Sequence, residues 1–504
     1  MNIHFDTLMN LSIKHIFGPA SQTINHLTYH SKQVHDGSVF FSIKGENEDG
    51  HQYIKEAITR GAVAVFGTSI EELRLLSTQY SHCTFLAVDD VRKVMASFSK
   101  MYFDYTNEKI ETIGVTGTNG KTTVAAYVRS LLTLLKLPTG SIGTTGIWSS
   151  KKKLVYKKST PTTPESVDLH KIFYDLYTRG DEAAVMEVSS IAIDQQRVED
   201  IYFDVAIHTN LSEEHLEYHK TFEHYKKCKM KLFQQAKHAV INIDDQDMGK
   251  DLSRLFEGPK VTYSLLNNAE ATLQAKNITV KEGGSFFDLL YKGQSYKVAV
   301  PVYGDYNIAN VLAAIGTALH FEYHIEDIIS VLPQLESPEG RFQVVEGPNN
   351  QKVILDYAHT PVALTPVALT RLVEEVKKME YNQLIVMIAG IGIRDFNKMP
   401  KMARVIEGKA DEIIVTVDHP GHHDPNVIVD QVMTGFSNPS ANNIHRAPTR
   451  TEGVLKSLSL GKPNDIILLT SGCINGAQLV KGNEIPHSDE EIIASYYASL
   501  SNIS

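Results

Sequence analysis

The stretch IGVTGTNGKTTVAAYVRSLLTLL, residues 113–135, decides the fold of this chain. It begins inside an apolar run, IETIGV (110–115), whose length and β-branched side chains predict a strand. From Lys121 onward, apolar residues recur at 124, 128, 131, 132 and 135, which is the spacing of one helix face. A strand that enters a helix through a glycine-containing loop is a building unit of parallel, helix-covered sheets.

The loop between this strand and helix, GTNGKT (117–122), has the composition of a phosphate-binding loop. Gly117 and Gly120 permit tight turns that aim backbone amides inward, and the helix N-terminus adds partial positive charge. Lys121 is placed to reach the β- and γ-phosphates, and the Thr122 hydroxyl is placed to meet Mg²⁺. Val115 stands where the standard pattern has its first glycine, so the loop is a variant. An ordinary strand-to-helix turn is the alternative, but the Gly-Lys-Thr order favours a nucleoside triphosphate.

Short apolar runs alternate with helical patterns on both sides of this loop, which predicts an α/β protein. We predict three domains, at 1–107, 108–335 and 336–504, with a joint marked by Pro338, Glu339 and Gly340. A helix is expected near residues 51–62. The predicted strands are 39–45, 62–67, 110–115, 183–190, 204–211, 239–245, 352–358, 384–390, 411–418 and 465–472.

The bulk properties exclude several classes of protein. At about 100–200 residues per domain, 504 residues also favour three domains. The net charge of −10 argues against broad nucleic-acid binding, although a local basic pocket for an anion remains compatible with it. Cys83, Cys228 and Cys473 lack metal-ligand or CxxC spacing, so we expect reduced thiols in a cytoplasmic protein. No stretch has the length of a membrane span, and the N-terminus lacks a targeting pattern.

The phosphate loop and further strings in chain order resemble those of the Mur ligase family. The strings most resemble members that add the third amino acid to a UDP-linked muramoyl peptide. The resemblance covers nearly the whole chain, and its strength lies in the order of the strings. They are GVTGTNGKTT (114–123), TPTTPE (160–165), EVSSIAIDQQRV (187–198), HTNLSEEHLEYH (208–219), YKKCKMKLF (225–233), GDYNIANVLAA (304–314), EGRFQVV (339–345), LDYAHTP (355–361), GIRDFNKMP (392–400) and DHPGHHDP (418–425).

The resemblance implies an ATP-dependent amide-bond ligase. An N-terminal α/β domain would hold the uridine end of the substrate, a central P-loop ATPase domain with a mostly parallel sheet would hold ATP, and a C-terminal Rossmann-like domain would help to bind the amino acid. ATP would phosphorylate a carboxylate to an acyl phosphate, which the amine then attacks. The implied substrates are ATP, UDP-N-acetylmuramoyl-L-alanyl-D-glutamate and an amino acid, with neither nucleic acid nor membrane, and the implied state is a monomer in the cytoplasm.

The resemblance also implies which residues act. Lys121, Glu187, His215 and Lys229 would be catalytic, and Mg²⁺ would be held by Thr122, Glu187, His215 and Lys229. Lys229 would react with CO₂ to form a carbamate, which turns a cation into an anionic ligand. The alternative for each residue is a solvated or hydrogen-bonded side chain. The ATP contacts would be Gly117, Thr118, Asn119, Gly120, Lys121, Thr122, Thr123, Asn307, Arg341 and His359.

Six residues would position the muramoyl substrate: Ser31, Thr162, Thr163, Ser189, Gln195 and Arg197. Among them, Arg197 suits an anionic group, because a guanidinium can clamp oxygens bidentately. Around Ser31, His30 and Lys32 stand where the family has Asp and Arg. The amino acid would meet Arg394, Asp418, His419 and Asn475.

The string at 418–421 departs from the members that add diaminopimelate. Those members read Asp-Asn-Pro-Arg, and their arginine holds the distal carboxylate, whereas Gly421 occupies that position here. Asn475 replaces an acidic residue, and Ile191 replaces a histidine. Diaminopimelate is therefore disfavoured, and lysine or another amino acid stays open. A paralogue that ligates an amino acid to another acceptor, and a nucleotide-binding relative without catalysis, also stay open. The N-terminal segment argues against a folylpolyglutamate synthetase.

Overall fold

The structure is a computed structural model that describes residues 1–8, 11–45, 48–156, 162–214, 216–281, 283–338, 340–356, 366–393, 396–472 and 476–501. The chain forms two compact units. The first contains Met1–Lys121, Val128–Ile241 and Asp245–Val261, and the second contains Thr122–Tyr127, Asn242–Asp244 and Thr262–Ser504. Among the described residues, no helix has both the length and the apolar character needed to cross a membrane.

The chain up to residue 255 alternates strands and helices. Its strands are β1 (Asn2–His4), β2 (Ile13–Phe17), β3 (Ser21–Thr23), β4 (His26–Thr28), β5 (Ser38–Phe41), β6 (Ala62–Gly67), β7 (Thr84–Val88), β8 (Glu111–Thr116), β9 (Thr139–Gly143), β10 (Gly146–Trp148), β11 (Lys153–Leu154), β12 (Ala183–Glu187), β13 (Phe203–His208) and β14 (Ala236–Asn242). Its helices are α1 (Ile54–Thr59), α2 (Ile70–Gln79), α3 (Val91–Tyr102), α4 (Lys121–Leu134), α5 (Ser166–Thr178), α6 (Ser190–Asp194), α7 (Leu216–His219), α8 (Phe222–Gln234) and α9 (Met248–Leu255).

The N-terminal sheet has the order β2-β7-β6-β5-β4 and is buried on both faces. Because successive side chains of a strand point to opposite faces, Phe66 packs in one core with Phe98 of α3. Its neighbour Val65 packs in the other core with Leu73 of α2. This two-sided burial explains why AVAVFG reads as a continuous apolar run instead of an alternating one.

A second sheet of the first unit places the residues of interest at one edge. Its strands pair in the order β11-β10-β9-β12-β8-β13-β14, and β9, β12, β8, β13 and β14 are mutually parallel. Glu187 lies opposite Val115 in the register, and His208 lies opposite Thr116. The carboxyl ends of β12, β8 and β13 therefore lie side by side, where open α/β sheets bind their ligands.

The chain from residue 260 onward contains the remaining elements. The strands are β15 (Lys260–Ser264), β16 (Leu273–Lys281), β17 (Gly284–Tyr291), β18 (Gln294–Val300), β19 (Gln343–Glu346), β20 (Lys352–Asp356), β21 (Leu384–Ile391), β22 (Glu412–Asp418), β23 (Ile444–Arg446), β24 (Ile466–Thr470), β25 (Ala477–Val480) and β26 (Asn483–Pro486). The helices are α10 (Asp305–His320), α11 (Ile325–Val331), α12 (Pro366–Val376), α13 (Met399–Ile406), α14 (Pro425–Met433), α15 (Arg450–Leu460) and α16 (Asp489–Ser501).

The C-terminal sheet has the order β19-β20-β24-β21-β22-β23, and only the pairing of β19 with β20 is antiparallel among its described strands. Val386 of β21 packs in a core with Met402 of α13 and Val429 of α14. Met387, the next residue, packs on the other face with Val454 of α15. The sheet is therefore covered on both faces, as the α/β prediction requires.

The structure confirms the predicted α/β class and the type of the predicted strands. Strand 62–67 has the predicted bounds, whereas 183–190 ends at Glu187 and 39–45 ends at Phe41. The helix expected near 51–62 divides into a 3-10 turn at Gly50–Tyr53 and the short α1. The predicted domain boundaries at 107/108 and 335/336 stay predictions.

Candidate active site

The glycine-containing loop joins β8 to α4, as the sequence predicts. Gly117 has φ +152° and Gly120 has φ +87°, both in the region that favours glycine. A Cβ at position 117 would lie 1.9 Å from Thr209 Oγ1, so even an alanine could not fit without displacing that side chain. Gly120 is the N-cap of α4, which begins at Lys121 and has Thr122 and Thr123 buried in its first turn. The loop backbone therefore has the geometry of an anion cradle.

The segment that follows β13 holds this loop in place. Thr118 N donates to Asn210 O at 2.8 Å, and Asn119 N donates to Asn210 Oδ1 at 3.0 Å. Thr209 Oγ1 donates to Asn119 O at 2.6 Å. Thr118 Oγ1 donates to Ser212 O at 3.1 Å and accepts from Ser212 N at 2.9 Å. Backbone and side-chain contacts with this one segment thus fix the conformation of the loop.

Two lysines meet at the carbonyl oxygen of Gly117. Lys121 Nζ donates to Gly117 O at 2.9 Å, and Lys229 Nζ, from α8, donates to the same oxygen at 2.8 Å. Lys229 is buried, and its Nζ lies 4.7 Å from the centroid of the Tyr225 ring. Burial, with a further contribution from the charge of Lys121, holds the pKa of Lys229 well below its usual range. Lys229 is therefore biased toward the neutral amine, which is the form that reacts with CO₂.

Glu187 ends β12 as a buried carboxylate. Its Oε1 accepts from Thr144 N at 2.7 Å, and its Oε2 accepts from Thr144 Oγ1 at 3.2 Å. A Cβ on Gly143 would lie 2.2 Å from Glu187 Oε1, so the turn after β9 passes directly against the carboxylate. The contacts with Thr144, directly after β9, hold the Glu187 carboxylate in one orientation.

Three of the predicted substrate residues gather beside Glu187. Thr163 Oγ1 donates to Glu187 O at 2.9 Å and accepts from Ser189 N at 3.1 Å. Ser189 Oγ caps α6 by accepting from Ala192 N at 3.2 Å. Thr162 has φ +35°, and its Oγ1 lies 3.4 Å from Thr144 Oγ1. The hydroxyls at 162, 163 and 189 therefore share one edge of the sheet.

Arg197 contacts the backbone of Thr163 and two polar side chains, those of Gln195 and Glu165. Its Nη1 donates to Thr163 O at 2.9 Å, and its Nη2 donates to Gln195 Oε1 at 2.7 Å. Its Nε lies 3.1 Å from Glu165 Oε1, while Arg92 Nη1 donates to Glu165 Oε2 at 2.8 Å. The guanidinium thus has partners within the protein, and its predicted role as an anion clamp stays a prediction.

Ser31 lies in the first unit, on a 3-10 turn (Ser31–Gln33) that follows β4. It is buried, and its Oγ donates to Glu56 Oε2 at 3.2 Å. This contact uses its one hydrogen and leaves the oxygen able to accept a further bond.

Two further predicted ATP contacts, Asn307 and Arg341, belong to the second unit. Asn307, in the first turn of α10, is buried, and its Nδ2 donates to Tyr303 O at 2.9 Å. Its Oδ1 accepts from Asn310 Nδ2 at 3.3 Å. Arg341 directly precedes Phe342, and its Nε is buried without a hydrogen-bond partner among the described residues. A buried guanidinium nitrogen of this kind is costly unless a ligand supplies an acceptor.

The predicted amino-acid loop follows β22 in the same unit. Asp418 is fully buried, and its Oδ1 accepts from Gln478 Nε2 at 3.3 Å. His419 has φ +44°, and its Nδ1 accepts from Leu479 N at 3.0 Å. Gly421 has φ +62° and donates its N–H to Leu479 O at 3.0 Å. Backbone pairing with β25 therefore fixes the shape of this loop.

Comparisons with known proteins bear directly on this arrangement. The model of the Mur ligase middle domain matches residues 115–318, that of the Mur ligase glutamate ligase domain matches 340–473, and that of the Mur ligase family catalytic domain matches 23–102. A UDP-N-acetylmuramoyl-L-alanyl-D-glutamate–2,6-diaminopimelate ligase 2 of Clostridium acetobutylicum is 33% identical over 96% of this chain and 98% of its own length.

The chain belongs to the Mur ligase family.

Further Mur ligase relatives agree with this membership. A UDP-N-acetylmuramyl-tripeptide synthetase 2 of Oceanobacillus iheyensis is 31% identical and covers 97% of each chain. A solved UDP-N-acetylmuramoyl-L-alanyl-D-glutamate–2,6-diaminopimelate ligase is 26% identical, with a TM-score of 0.70 over 99% of this chain and 100% of that one. This chain therefore has the three-domain Mur ligase fold, with mostly parallel sheets.

The structure brings together only part of the predicted Mur ligase site. Lys121 and Lys229 meet at one carbonyl, and Glu187 lies with Thr162, Thr163 and Ser189 at the neighbouring strand end. The residues His215, His359, Arg394 and Asn475 lie outside the described residues. The roles assigned to all these side chains stay predictions.

Several supporting residues of the site were missed at the level of sequence. Thr144, which binds the Glu187 carboxylate, follows a short strand in IGTTG, and a polar residue just beyond a strand end was the available signal. Tyr225 OH lies 3.1 Å from Thr118 Oγ1, and its ring covers Lys229. Glu165 joins two arginines. Apart from the contact between Tyr225 and Lys229, one helix turn apart, these contacts connect residues far apart in the chain, so no local pattern reveals the partners.

Proposed function

We propose that this Mur ligase uses ATP to join an amino acid to UDP-N-acetylmuramoyl-L-alanyl-D-glutamate during synthesis of the peptidoglycan precursor. The observation that carries the proposal is the meeting of Lys121 and Lys229 at Gly117 O, within a glycine-lined turn at the end of a buried parallel strand. We further propose that the enzyme works in the cytoplasm, as a monomer, on small-molecule substrates.

The chemistry requires cations around a triphosphate and an acceptor carboxylate. A carboxylate and an amine do not condense in water without activation, and transfer of the γ-phosphoryl group creates an acyl phosphate that the amine attacks, releasing phosphate. Such a transfer depends on positioning and neutralisation of charge. The loop amides and Lys121 would hold the phosphates, and Thr118, Asn119 and Thr123 would complete the loop. Asn307, Arg341 and His359 would contact the rest of ATP.

The donor set also fits Mg²⁺. Thr122 offers a hydroxyl, Glu187 a buried carboxylate, and carbamoylated Lys229 an anionic oxygen, with His215 as the predicted fourth member. Hard oxygen donors of this kind suit Mg²⁺ better than softer metals. When bound, Mg²⁺ would neutralise charge on the phosphate oxygens. The buried, neutral-leaning amine of Lys229 supports the carbamate, because an ammonium cannot attack CO₂.

The acceptor would lie across the edge that carries Thr163 and Ser189. Arg197 would orient this edge through its contacts with Thr163 O and with the Gln195 side chain. Ser31 would contact the sugar linked to uridine. In this arrangement, the acceptor carboxylate is directed toward the end of β12, where Glu187 lies.

We propose that the incoming amino acid is not diaminopimelate. Position 421 has φ +62°, and a side chain there would begin 2.7 Å from Ile393 Cγ2, so the loop would resist an arginine at that place. Asp418 and His419 would instead meet the amino acid, together with Arg394 and Asn475. A screen of amino acids in a coupled phosphate-release assay tests this. A rate with diaminopimelate above that with lysine and all others would overturn it.

The test of the whole proposal is Lys121→Ala. We expect product formation from ATP, the UDP-linked dipeptide and the accepted amino acid to fall by roughly 100-fold or more, since charge stabilisation of the transferred group is lost. Lys151→Ala, on an exposed turn, is the matched control and should keep the wild-type rate. Unchanged product formation by Lys121→Ala would refute the proposal. Absence of phosphate release with every amino acid would favour a binding protein without catalysis, and activity restricted to a different acceptor would favour an accessory ligase.

A further inference from the structure

A cluster of nitrogen and sulfur donors lies where α7 ends and α8 begins. His219 is the last residue of α7, and His224 and Cys228 lie on α8. One ligand atom from each of these three residues lies within 4.8 Å of the other two. Since residues four apart share a helix face, His224 and Cys228 point to the same side of α8.

The ring of His224 lies between the other two side chains of the cluster. His219 Nδ1 lies 3.2 Å from His224 Nδ1, and Cys228 Sγ lies 3.7 Å from His224 Nε2. A hydrogen bond between the two imidazoles would account for the first distance. The thiol approaches the other nitrogen of the same ring from the next turn of the helix.

The surroundings orient the cluster. His219 is 2% exposed, and its Nε2 lies 2.9 Å from Ser190 Oγ, which leaves Nδ1 directed toward His224. Cys228 is 1% exposed. Asp194 Oδ1 lies 3.5 Å from Cys228 Sγ and 3.7 Å from His224 Nε2. An imidazole whose second nitrogen is fixed by a hydrogen bond, as that of His219 is by Ser190, is the usual environment of a metal-binding histidine.

We propose that His219, His224 and Cys228 bind a divalent metal ion of the zinc type, separate from the Mg²⁺ proposed above for phosphoryl transfer. Two imidazoles and a thiolate select zinc and similar ions, whereas the oxygen donors proposed for catalysis select magnesium. The Asp194 carboxylate supplies further negative charge on the open side of the cluster. On coordination the metal replaces the Sγ proton of Cys228, and that proton passes to solvent.

The site has a structural consequence that does not depend on the proposed reaction. A bound ion would join the end of α7 to two successive turns of α8, and Cys228 directly precedes Lys229 on that helix. Because the ion binds the folded chain, it stabilises that state against unfolding. It would also restrain the helix that carries Lys229.

The site can be tested by titration with Co²⁺, a spectroscopic probe for Zn²⁺. The titration uses the full chain after a chelator has removed its metal. We expect a thiolate-to-metal charge-transfer band that saturates at a single ion per chain, survives excess Mg²⁺ and is displaced by Zn²⁺. His224→Ala and Cys228→Ser should weaken binding by more than about 100-fold, since loss even of an outer partner costs about 10–100-fold. The matched controls His445→Ala and Cys83→Ser should bind as the wild type does.

Thermal unfolding separates loss of the site from loss of the fold. His224 is 48% exposed on its side chain, so His224→Ala should fold and unfold without metal as the wild type does. Zn²⁺ should raise the unfolding midpoint of the wild type and of Cys83→Ser, and leave that of His224→Ala unchanged. A wild type that shows no thiolate band, or variants that bind Co²⁺ as tightly as the wild type, would overturn the proposal, whatever the ligase assay shows.

Discussion

Lys229 differs from the neighbouring lysines of α8 in its surroundings. It is buried against Tyr225, faces Gly117 O and has a lowered pKa, whereas Lys227, two positions earlier, has a side chain that is 69% exposed. The sequence places four lysines within 226–231, the family resemblance singles out Lys229, and the fold shows that Lys229 is the buried one. Burial of a lysine depends on how α8 packs, and the presence of several lysines close together in the sequence does not reveal that packing.

We predict that Lys229→Ala lowers ligase activity by roughly 100-fold or more, because an anionic ligand for Mg²⁺ would be lost at the phosphoryl-transfer step. Wild-type activity should fall when bicarbonate and CO₂ are removed from the buffer, and should return on their addition. The variant should be indifferent to both. Lys227→Ala should retain the full rate and the wild-type response. Equal bicarbonate dependence in wild type and Lys229→Ala would contradict the carbamate.

Gly117 leaves no room for a side chain. We predict that Gly117→Ala weakens ATP binding and lowers the free energy of unfolding, since strain in this region costs about 1–3 kcal/mol and the new Cβ would collide with Thr209. Calorimetric titration with a non-hydrolysable ATP analogue and chemical denaturation measure the two effects. Gly180→Ala, at φ +88° with no atom within 4 Å of the new Cβ, is the control for backbone strain alone. Wild-type affinity in Gly117→Ala would disprove the role of the tight turn.

At the scale of elements, a buried ion pair joins the last two helices. Arg450, at the start of α15, is fully buried, and its Nε and Nη2 donate to the carboxylate of Asp489 at the start of α16, with the Nη2–Oδ2 distance at 2.6 Å. Its guanidinium also donates to the carbonyls of Thr470 and Ser471 at the end of β24. Burial alone would raise the pKa of Asp489, but Arg450 and His487 outweigh it and hold that pKa below its usual range.

We predict that Asp489→Asn lowers the free energy of unfolding at neutral pH by about 3–5 kcal/mol, because it leaves Arg450 buried without its counter-charge. Since the folded pKa of Asp489 is depressed, its contribution is complete above the unfolded value of about 3.9 and is lost as the pH falls below it. The difference between wild type and variant should therefore narrow in acid. Denaturant unfolding at several pH values measures this. Asp430→Asn, which breaks the exposed pair with Arg446, should cost less than about 1 kcal/mol.

The elements that sequence reasoning missed have a common cause. Strands β16, β17 and β18 form an antiparallel meander, with a register shift between Lys276 and Thr279 in the pairing of β16 with β17. Their sequence mixes charged and apolar residues around the Gly283–Gly284 and Gly293 turns, so it lacks the continuous apolar runs from which the parallel strands were predicted. Buried parallel strands can be predicted from sequence because both of their faces are apolar, whereas a half-exposed strand shows only an alternation of apolar and polar residues.

At the scale of the whole molecule, the order of the strings along the chain carried the prediction of the fold, and the matched family models fall within the three predicted segments in the same order. The site was less predictable. Contacts such as Thr144 with Glu187, and Thr209 with Asn119, join residues 43 and 90 positions apart. Long-range contacts of this kind arise from the sheet order, which the local pattern does not encode.

We predict that ATP with Mg²⁺ raises the unfolding midpoint of the whole chain. A ligand that binds only the folded state at 100 times its Kd stabilises that state by about 2.7 kcal/mol. Differential scanning fluorimetry with increasing ATP should show a shift that grows with concentration, and Lys121→Ala should show a smaller one. Lys151→Ala serves as the control. An equal shift in Lys121→Ala would mean that ATP stabilises the protein from elsewhere.

The Gly117 carbonyl, which accepts hydrogen bonds from both lysines, also affects the entropy of nucleotide binding. A carbonyl oxygen has two lone pairs, and the two amino groups satisfy both. These two hydrogen bonds therefore hold the loop in its turned conformation before a phosphate binds. The incoming anion then exchanges one hydrogen bond of the loop for another and does not have to order a flexible segment. A binding site that is already ordered loses little conformational entropy on binding, so more of the free energy of its contacts contributes to affinity.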